Sequence, residues 1–519
     1  NFTGDPGNEY ISDGLSEEIL DSLTRVPDLK VLARSASFYY KGKQVEPATI
    51  AEQLSADYII EGSIRSAAPI VRVAVQLIDM RTQLHLWSKT YDLELANVLD
   101  MQRDVANRVA QSLNVVIAQE KMPNIARPRD NQTYRFYLEG REILRSPRGT
   151  HDLKNAISLF EQAIDLDPDF TLAHVGLCEA QLARYRRSQD PAVHSSAVTS
   201  CLRVVAFEDK ARMPEVFVAL GNLNRFAGNL HEAELLLRRA LDLAPNFDEA
   251  IFGLARTYRQ QGKIIEAEEL LSRTIELYPG YFATYYEYGL FLFYEGRFEE
   301  AAKKFQQVVA LQPEEGDGWA NRGTALFEAG NWSAAEDAWR QALNILPFYA
   351  TYLNLGNLYY YRGNYEQAVE AFSRGTELAP DVHLTWGKLA AAYRYLPDEP
   401  ASRAAYEKAA RLVAVTLSQT PNDYTALSYA SAYQLNLGHQ EEATRLIGKA
   451  LEIAPDEGVV HYFHAIERNF NDDVGGAVDA LVQAVAKGYS ITLIGADPQF
   501  ENLVENEDYQ RLTKGAEPT

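Results

Sequence analysis

The sequence predicts an α+β protein, with a small α/β sandwich head followed by an all-α solenoid of helical hairpins. Three observations carry this. Prolines that close apolar helical stretches recur at Pro245, Pro279, Pro313, Pro347 and Pro380, at steps of 34, 34, 34 and 33 residues. The glycine that opens each second helix keeps step (Gly228, Gly262, Gly296, Gly330, Gly363, Gly438), as does an alanine five residues later (Ala233, Ala267, Ala301, Ala335, Ala368, Ala443). Residues 1–120 lack this period and instead alternate apolar and polar residues, the signature of half-buried strands.

In the head, Asp13 is placed to cap a helix running to Arg25, with Leu15, Ile19, Leu20 and Leu23 turned inward. Leu29 to Arg34 reads as a strand and Ala48 to Leu54 as a short helix. Tyr58, Ile60, Gly62 and Ile64 form one alternating run, and Val71, Val73, Val75 and Leu77 another. The tight Ala67-Ala68-Pro69 link between them predicts a hairpin. Leu84 to Tyr91 is a third strand, and Asn97 caps a helix with Val98, Met101, Val105, Val109 and Leu113 on one stripe. The opening NFTGDPGNEYISDG reads as a loop between a strand and a helix. Since no strand precedes it and Asn1 is not a methionine, we expect a piece of a longer protein whose first strand lies upstream.

The segments GDPGNEYISDGLSEEILDSLTRVPDLKVLARSASFYYKGK, DYIIEGSIR, VRVAVQLID and LWSKTYD resemble the TolB-like or FlgO-type α/β domain over nearly all of residues 1–120. Residues 121–132, with two prolines and no period, form a linker. From residue 133 to 490 the proline, glycine and alanine triplets resemble the tetratricopeptide repeat, whose unit is about 34 residues, and imply about ten hairpins in a right-handed superhelix. Gly316 to Pro347 shows the logic. Small residues at Gly323 and Ala335 let two helices approach, while Trp319 and Trp339 fill the space beside them. A single hairpin cannot bury its apolar face and needs stacked copies. Residues 491–519 break the period and read as a cap, with Phe500, Leu503, Tyr509 and Leu512 covering the last hairpin. The combination resembles the C-terminal, extracytoplasmic part of bacterial membrane-anchored regulators of the CadC/ToxR type. Some class III adenylyl cyclases carry a similar module. The resemblance therefore implies a signal-sensing, protein-binding part of a larger regulator, in the periplasm and anchored only through an upstream segment. A cytoplasmic cyclase regulator and a free-standing scaffold are the alternatives.

A net charge of −22 argues against nucleic-acid binding and against adsorption to anionic lipid. No apolar run reaches the length of a membrane span. No Walker, GxGxxG or GxSxG motif is present, so neither a cofactor nor an enzymatic activity is expected. His461, His464 and Glu467 share a helix face, but a fourth metal ligand is not suggested, and no metal is expected. The two cysteines, Cys178 and Cys201, fall in the two helices of one hairpin. They are either small buried thiols or a disulfide, which would imply an oxidising compartment.

The repeat resemblance also implies that the first helices of successive hairpins line a groove. Its positions map onto Asn222 and Arg225, then Phe252, Arg256 and Arg259, then Tyr286, Phe293 and Tyr294, and finally Asn357, Tyr360 and Tyr361. Arginines and aromatics are the residue types that carry interface energy, and a peptide with an acidic group and apolar side chains would fit. The same residues also suit plain packing between repeats, or self-association into a homodimer.

Overall fold

The computed structural model describes residues 45–54, 56–67, 70–94, 128–145, 150–188, 191–205 and 213–514, with isolated positions among 16–40 and 101–109. It divides into two compact units, Asn1–Phe291 and Leu292–Thr519.

Unit 1 opens with helix α1 (Pro47–Leu54) and a meander of β1 (Tyr58–Ala67), β2 (Ile70–Asp79) and β3 (Leu84–Glu94), all antiparallel in the order β1-β2-β3. Side chains alternate across a pleated sheet, so Val73, Val75 and Leu77 are buried together while Arg72 pairs with Asp92 on the other face. A register shift at Leu77/Ile78 adds Ile78 to the buried set. Met101, Val105 and Val109 are helical and buried at four-residue spacing, and Asp104 beside them accepts from Lys89 Nζ at 2.7 Å and Tyr91 Oη at 2.8 Å on β3. The ends of that helix and nearly all of the expected Asp13–Arg25 helix lie outside the described residues. The expected Leu29–Arg34 strand is corrected where it can be seen. Among the described residues, Leu29, Val31 and Leu32 join no sheet, and the Leu29 carbonyl instead faces Asn246 Nδ2 at 3.5 Å. A strand needs a paired neighbour, and these three residues have none; Lys30, Ala33 and Arg34 lie outside the described residues.

The helices of unit 1 follow as α2 (Asn131–Arg145), α3 (Thr150–Leu166), α4 (Thr171–Ser188), α5 (Pro191–Val205), α6 (Pro214–Phe226), α7 (Leu230–Leu243), α8 (Asp248–Gln260) and α9 (Ile264–Leu277). Helix α10 (Phe282–Tyr294) carries the boundary between the units. The end of the linker is fastened to the array. Arg129 donates its backbone N–H to Asp167 at 2.9 Å and its side chain pairs with Asp169, while Asp130 accepts from the Thr133 N–H at 2.8 Å.

Unit 2 continues with α11 (Phe298–Leu311), α12 (Gly316–Glu328), α13 (Trp332–Ile345), α14 (Tyr349–Tyr361), α15 (Tyr365–Leu378), α16 (His383–Tyr393), α17 (Glu399–Gln419), α18 (Tyr424–Asn436), α19 (Gln440–Ile453), α20 (Gly458–Phe470) and α21 (Val474–Ala486). It closes with α22 (Ile491–Ala496), a 3₁₀ turn (Pro498–Leu503) and α23 (Glu507–Thr513).

The three periodic residues do three different jobs. Each second helix stops two residues before its proline, as α7 does at Leu243 and α13 at Ile345, because proline bars the residue before it from the helical region. Ala244 and Leu346 are accordingly extended, with φ of −140° and −143°. The turn glycines sit at positive φ, +83° at Gly330, where a side chain would be strained. The alanines are fully buried, so the second helix meets its partner without a gap.

A device not expected from the sequence recurs six residues after the proline. His174, Tyr285, Trp319, Trp386 and His461 each donate a ring N–H or hydroxyl to the carbonyl of Pro168, Pro279, Pro313, Pro380 and Pro455, at 2.8 to 3.0 Å. This satisfies a carbonyl at the loop between hairpins.

Neighbouring hairpins are also tied by repeated polar knots. Glu234 on α7 pairs with Arg238 and with Lys263 of the following hairpin, and Glu336 on α13 pairs with Arg340 and Arg362 in the same way. Burial pushes the Glu234 carboxyl up, but Lys263, Gln261 and Arg238 overrule it and hold the pKa at about 2. A depressed folded-state pKa contributes stability above the ordinary carboxylate value, and that stability is lost as pH falls towards 2. Glu234→Gln should therefore cost about 2 kcal/mol at pH 7 and only a small fraction of that at pH 2. Urea unfolding at the two pH values measures this, and an equal loss at both would contradict it.

Candidate binding groove

The first helices of adjacent hairpins touch one another as well as their own second helices. In unit 1 α4 meets α6 and α6 meets α8; in unit 2 α14 meets α16, α16 meets α18 and α18 meets α20. Residues of successive first helices are thereby brought side by side.

In unit 1 this gathers the arginines. Arg225, in the last turn of α6, is 8% exposed and lies over the Phe226 ring at 4.3 Å. Its Nη2 is 3.5 Å from Asn222 Oδ1, and its Nε is sealed from solvent without an acceptor. Burial lowers its pKa to about 10, with Arg256 and Arg186 adding repulsion. Arg256 on α8 is bidentate to Glu287 on α10, with Nε 3.0 Å from Oε2 and Nη2 on Oε1. Arg259 is half-buried one turn further along α8, and Tyr286 is half-buried beside Glu287 in sequence. Phe252 is buried and stacks on Tyr281 at 6.2 Å, so it belongs to the packing between hairpins.

In unit 2 the selected residues part company. Tyr294 is 63% exposed, next to Phe293, whose ring packs on Phe298 at 5.2 Å. Tyr360 is buried among Tyr361, Tyr365 and Tyr395, and burial pushes its hydroxyl well above the ordinary tyrosine range. Asn357 Oδ1 is enclosed without a donor. Tyr361 packs on Phe327 and Trp332, and Asp497 and Tyr489 of the C-terminal segment lie close enough to act on its hydroxyl. That segment is the feature the sequence pattern did not reveal. Leu493 and Ala496 of α22 pack on the core formed by α12 to α16, while Ile494, Phe500, Leu503 and Tyr509 are buried in the core of α16 to α21. Asp497, itself buried, accepts from the Tyr462 hydroxyl and, at 3.0 Å, from the Gln499 N–H. The chain's own tail thus packs near Tyr360 and Tyr361, two of the α14 positions reached by the repeat rule.

The face of His461, His464 and Glu467 is used structurally. His461 donates to Pro455, His464 accepts from Arg468 Nε at 3.0 Å, and Glu467 accepts from Thr444 at 2.6 Å and Asn471 at 2.8 Å. Cys178 on α4 and Cys201 on α5 form a disulfide, with Cα atoms 4.6 Å apart and both residues buried. Closing a loop of this separation restricts the unfolded chain, so Cys178→Ser with Cys201→Ser should lower the stability of unit 1 by about 2–4 kcal/mol. Urea unfolding with and without reductant tests this; a variant as stable as the oxidised parent would contradict it.

Comparison with known proteins agrees with the helical architecture. Tetratricopeptide repeat models match residues 227–286, 289–350 and 349–382. These residues form an array of tetratricopeptide repeats, the fold of a protein–protein interaction module. A protein of Rhizobium meliloti (strain 1021), described as putative adenylate cyclase 3, is 31% identical over 179 residues, which is 34% of this chain and 30% of that protein. The chain therefore spans less than a third of that relative's length. Among solved structures, a tetratricopeptide repeat protein from Parabacteroides merdae aligns at 16% identity over 52% of this chain and 98% of its own, with a TM-score of 0.37. PilF of Pseudomonas aeruginosa aligns at 19% identity over 38% of this chain and 91% of its own, with a TM-score of 0.34.

Proposed function

We propose that the chain is a non-enzymatic interaction and signal-sensing part of a larger regulator, and that it binds a partner peptide along the first helices of unit 1. The observation that supports this is the Arg225, Arg256 and Arg259 cluster on α6 and α8, a basic patch in a chain of net charge −22. An acidic peptide with apolar side chains is the ligand of matching chemistry, and nucleic acid is disfavoured by the same charge. The tail that packs against α14 in unit 2 directs the reading to unit 1. The head is read as a TolB-like domain preceding the array, as in CadC/ToxR-type regulators, with any membrane anchor upstream. Among the described residues, no helix is long and apolar enough to cross a membrane. The Cys178–Cys201 disulfide favours an oxidising compartment, hence the periplasm. A second reading, the regulatory C-terminal part of an adenylyl cyclase, is supported by the Rhizobium relative and would place the chain in the cytoplasm.

A library of acidic and neutral 12-residue peptides bound to the full chain tests the groove. Arg259→Glu and Tyr286→Ala should each weaken the selected acidic peptides about tenfold, with helicity and melting unchanged. Selection of neutral peptides, or binding indifferent to both variants, would remove the groove assignment.

A further inference from the structure

The geometry points to a seat for a single oxyanion, built around the buried Arg225 guanidinium on α6 with Asn222 beside it and Arg256 and Arg259 of α8 nearby. A guanidinium carries five N–H donors and cannot shed its proton at neutral pH, so burying one without acceptors is costly. Surplus buried arginines normally meet a carboxylate. Arg225 does not. It is 8% exposed, its Nε faces no acceptor, and Asn222 Oδ1, its one side-chain acceptor among the described residues, lies at the 3.5 Å limit of a hydrogen bond. The Phe226 ring beneath it is apolar and fixes the plane of the guanidinium without satisfying any donor.

The surrounding charges sharpen the imbalance. Those acting most strongly on Arg225 are three further arginines, Arg186, Arg256 and Arg259, against one carboxylate, Glu287. That carboxylate is already held by both arms of Arg256. The field at Arg225 is thus net repulsive, and its enclosed Nε is a donor without an acceptor. In the groove reading, on which this seat rests for its peptide source, the missing group is a carboxylate of an acidic peptide. Inorganic phosphate offers the same oxygens and is the competing source.

The full chain is tested by thermal unfolding in sodium chloride and in sodium sulfate or inorganic phosphate at matched ionic strength. The first melting transition of the parent should rise with sulfate by about 2 °C or more and saturate. Arg225→Met, which removes the uncompensated charge and keeps the apolar stem, should melt above the parent in chloride and ignore sulfate. Arg225→Lys, which keeps the charge but lacks the Nε donor, should respond less than the parent and covers the case in which the methionine variant fails to fold. A parent indifferent to sulfate and phosphate, or variants that respond as the parent does, would overturn the seat.

Two blocked peptides that differ only by Asp for Asn identify the source. About tenfold tighter binding of the Asp peptide to the parent, lost in Arg225→Met, assigns the seat to a peptide carboxylate. A phosphate response that depends on Arg225, with both peptides failing to bind, keeps the seat but rejects the peptide groove.

Discussion

Removal of the C-terminal segment, by ending the chain at residue 488, is expected to cost unit 2 on the order of 5 kcal/mol and to open its core to dye binding. Ile494, Phe500 and Leu503 are fully buried and Tyr509 nearly so. Each such side chain contributes roughly 1.5–3 kcal/mol of transfer free energy, offset in part by the entropy of ordering the segment. The loss extends beyond apolar area. Tyr462 gives up its acceptor Asp497 and its stacking partner Tyr489, whose ring lies 4.4 Å away. The core around Tyr360 and Trp332 loses Leu493 and Ala496. Phe500→Ala is the milder control, with an expected loss of about 3–5 kcal/mol. Urea unfolding followed by tryptophan emission reads both, since Trp332, Trp339 and Trp386 are in unit 2. A truncated chain that unfolds at the parent's urea midpoint would show that the segment only decorates the array.

Trp339→Ala should lower the stability of unit 2 by about 3–5 kcal/mol. The side chain is 1% exposed, packs on Phe327 at 5.5 Å, and donates Nε1–H to the Ala320 carbonyl at 3.1 Å. Gly323 faces the indole so closely that an added Cβ would stand 2.6 Å from it, so alanine at 339 leaves a void that reaches the backbone of α12. Gly323→Val should also destabilise, through overpacking rather than a void. Trp339→Phe should recover most of the packing but not the hydrogen bond. A loss below about 1.5 kcal/mol for Trp339→Ala would mean that the hairpin collapses freely around the site.

The parts of the fold legible in the sequence are those set by local geometry and repeated. Pro347 stops α13, Gly330 supplies the positive φ of the turn and Ala335 lets the helices close; each rule acts within one hairpin, and repetition separates it from chance. The head strands were legible through the alternation of Val73, Val75 and Leu77. The strand at Leu29 misled because β-type composition does not guarantee a partner strand. At the candidate site, Arg225, Arg256 and Tyr286 could be placed on first helices from the repeat phase alone. What the phase could not give is contact at long range. That Glu287 takes Arg256, leaving Arg225 with an enclosed Nε, depends on side-chain directions across three helices. That the tail packs near Tyr360 and Tyr361 depends on where an aperiodic segment turns. The proline-carbonyl donors were within reach, since the six-residue offset is visible once sought.

The tail also changes how unit 2 should come apart. An array held only by neighbouring repeats frays from its free end, and its amides exchange on a gradient that rises towards the middle. Here α22 reaches cores built from α12 to α16 and from α16 to α21 at once. The last hairpins are thereby locked to much earlier ones, and their opening demands that the whole stretch be released together. Amide exchange in α20 and α21 should then be nearly as slow as in α14 and α16, with a single cooperative opening in place of a terminal gradient. Docking of the segment from α22 to α23 would be the step that converts the hairpins of unit 2 into one folding unit.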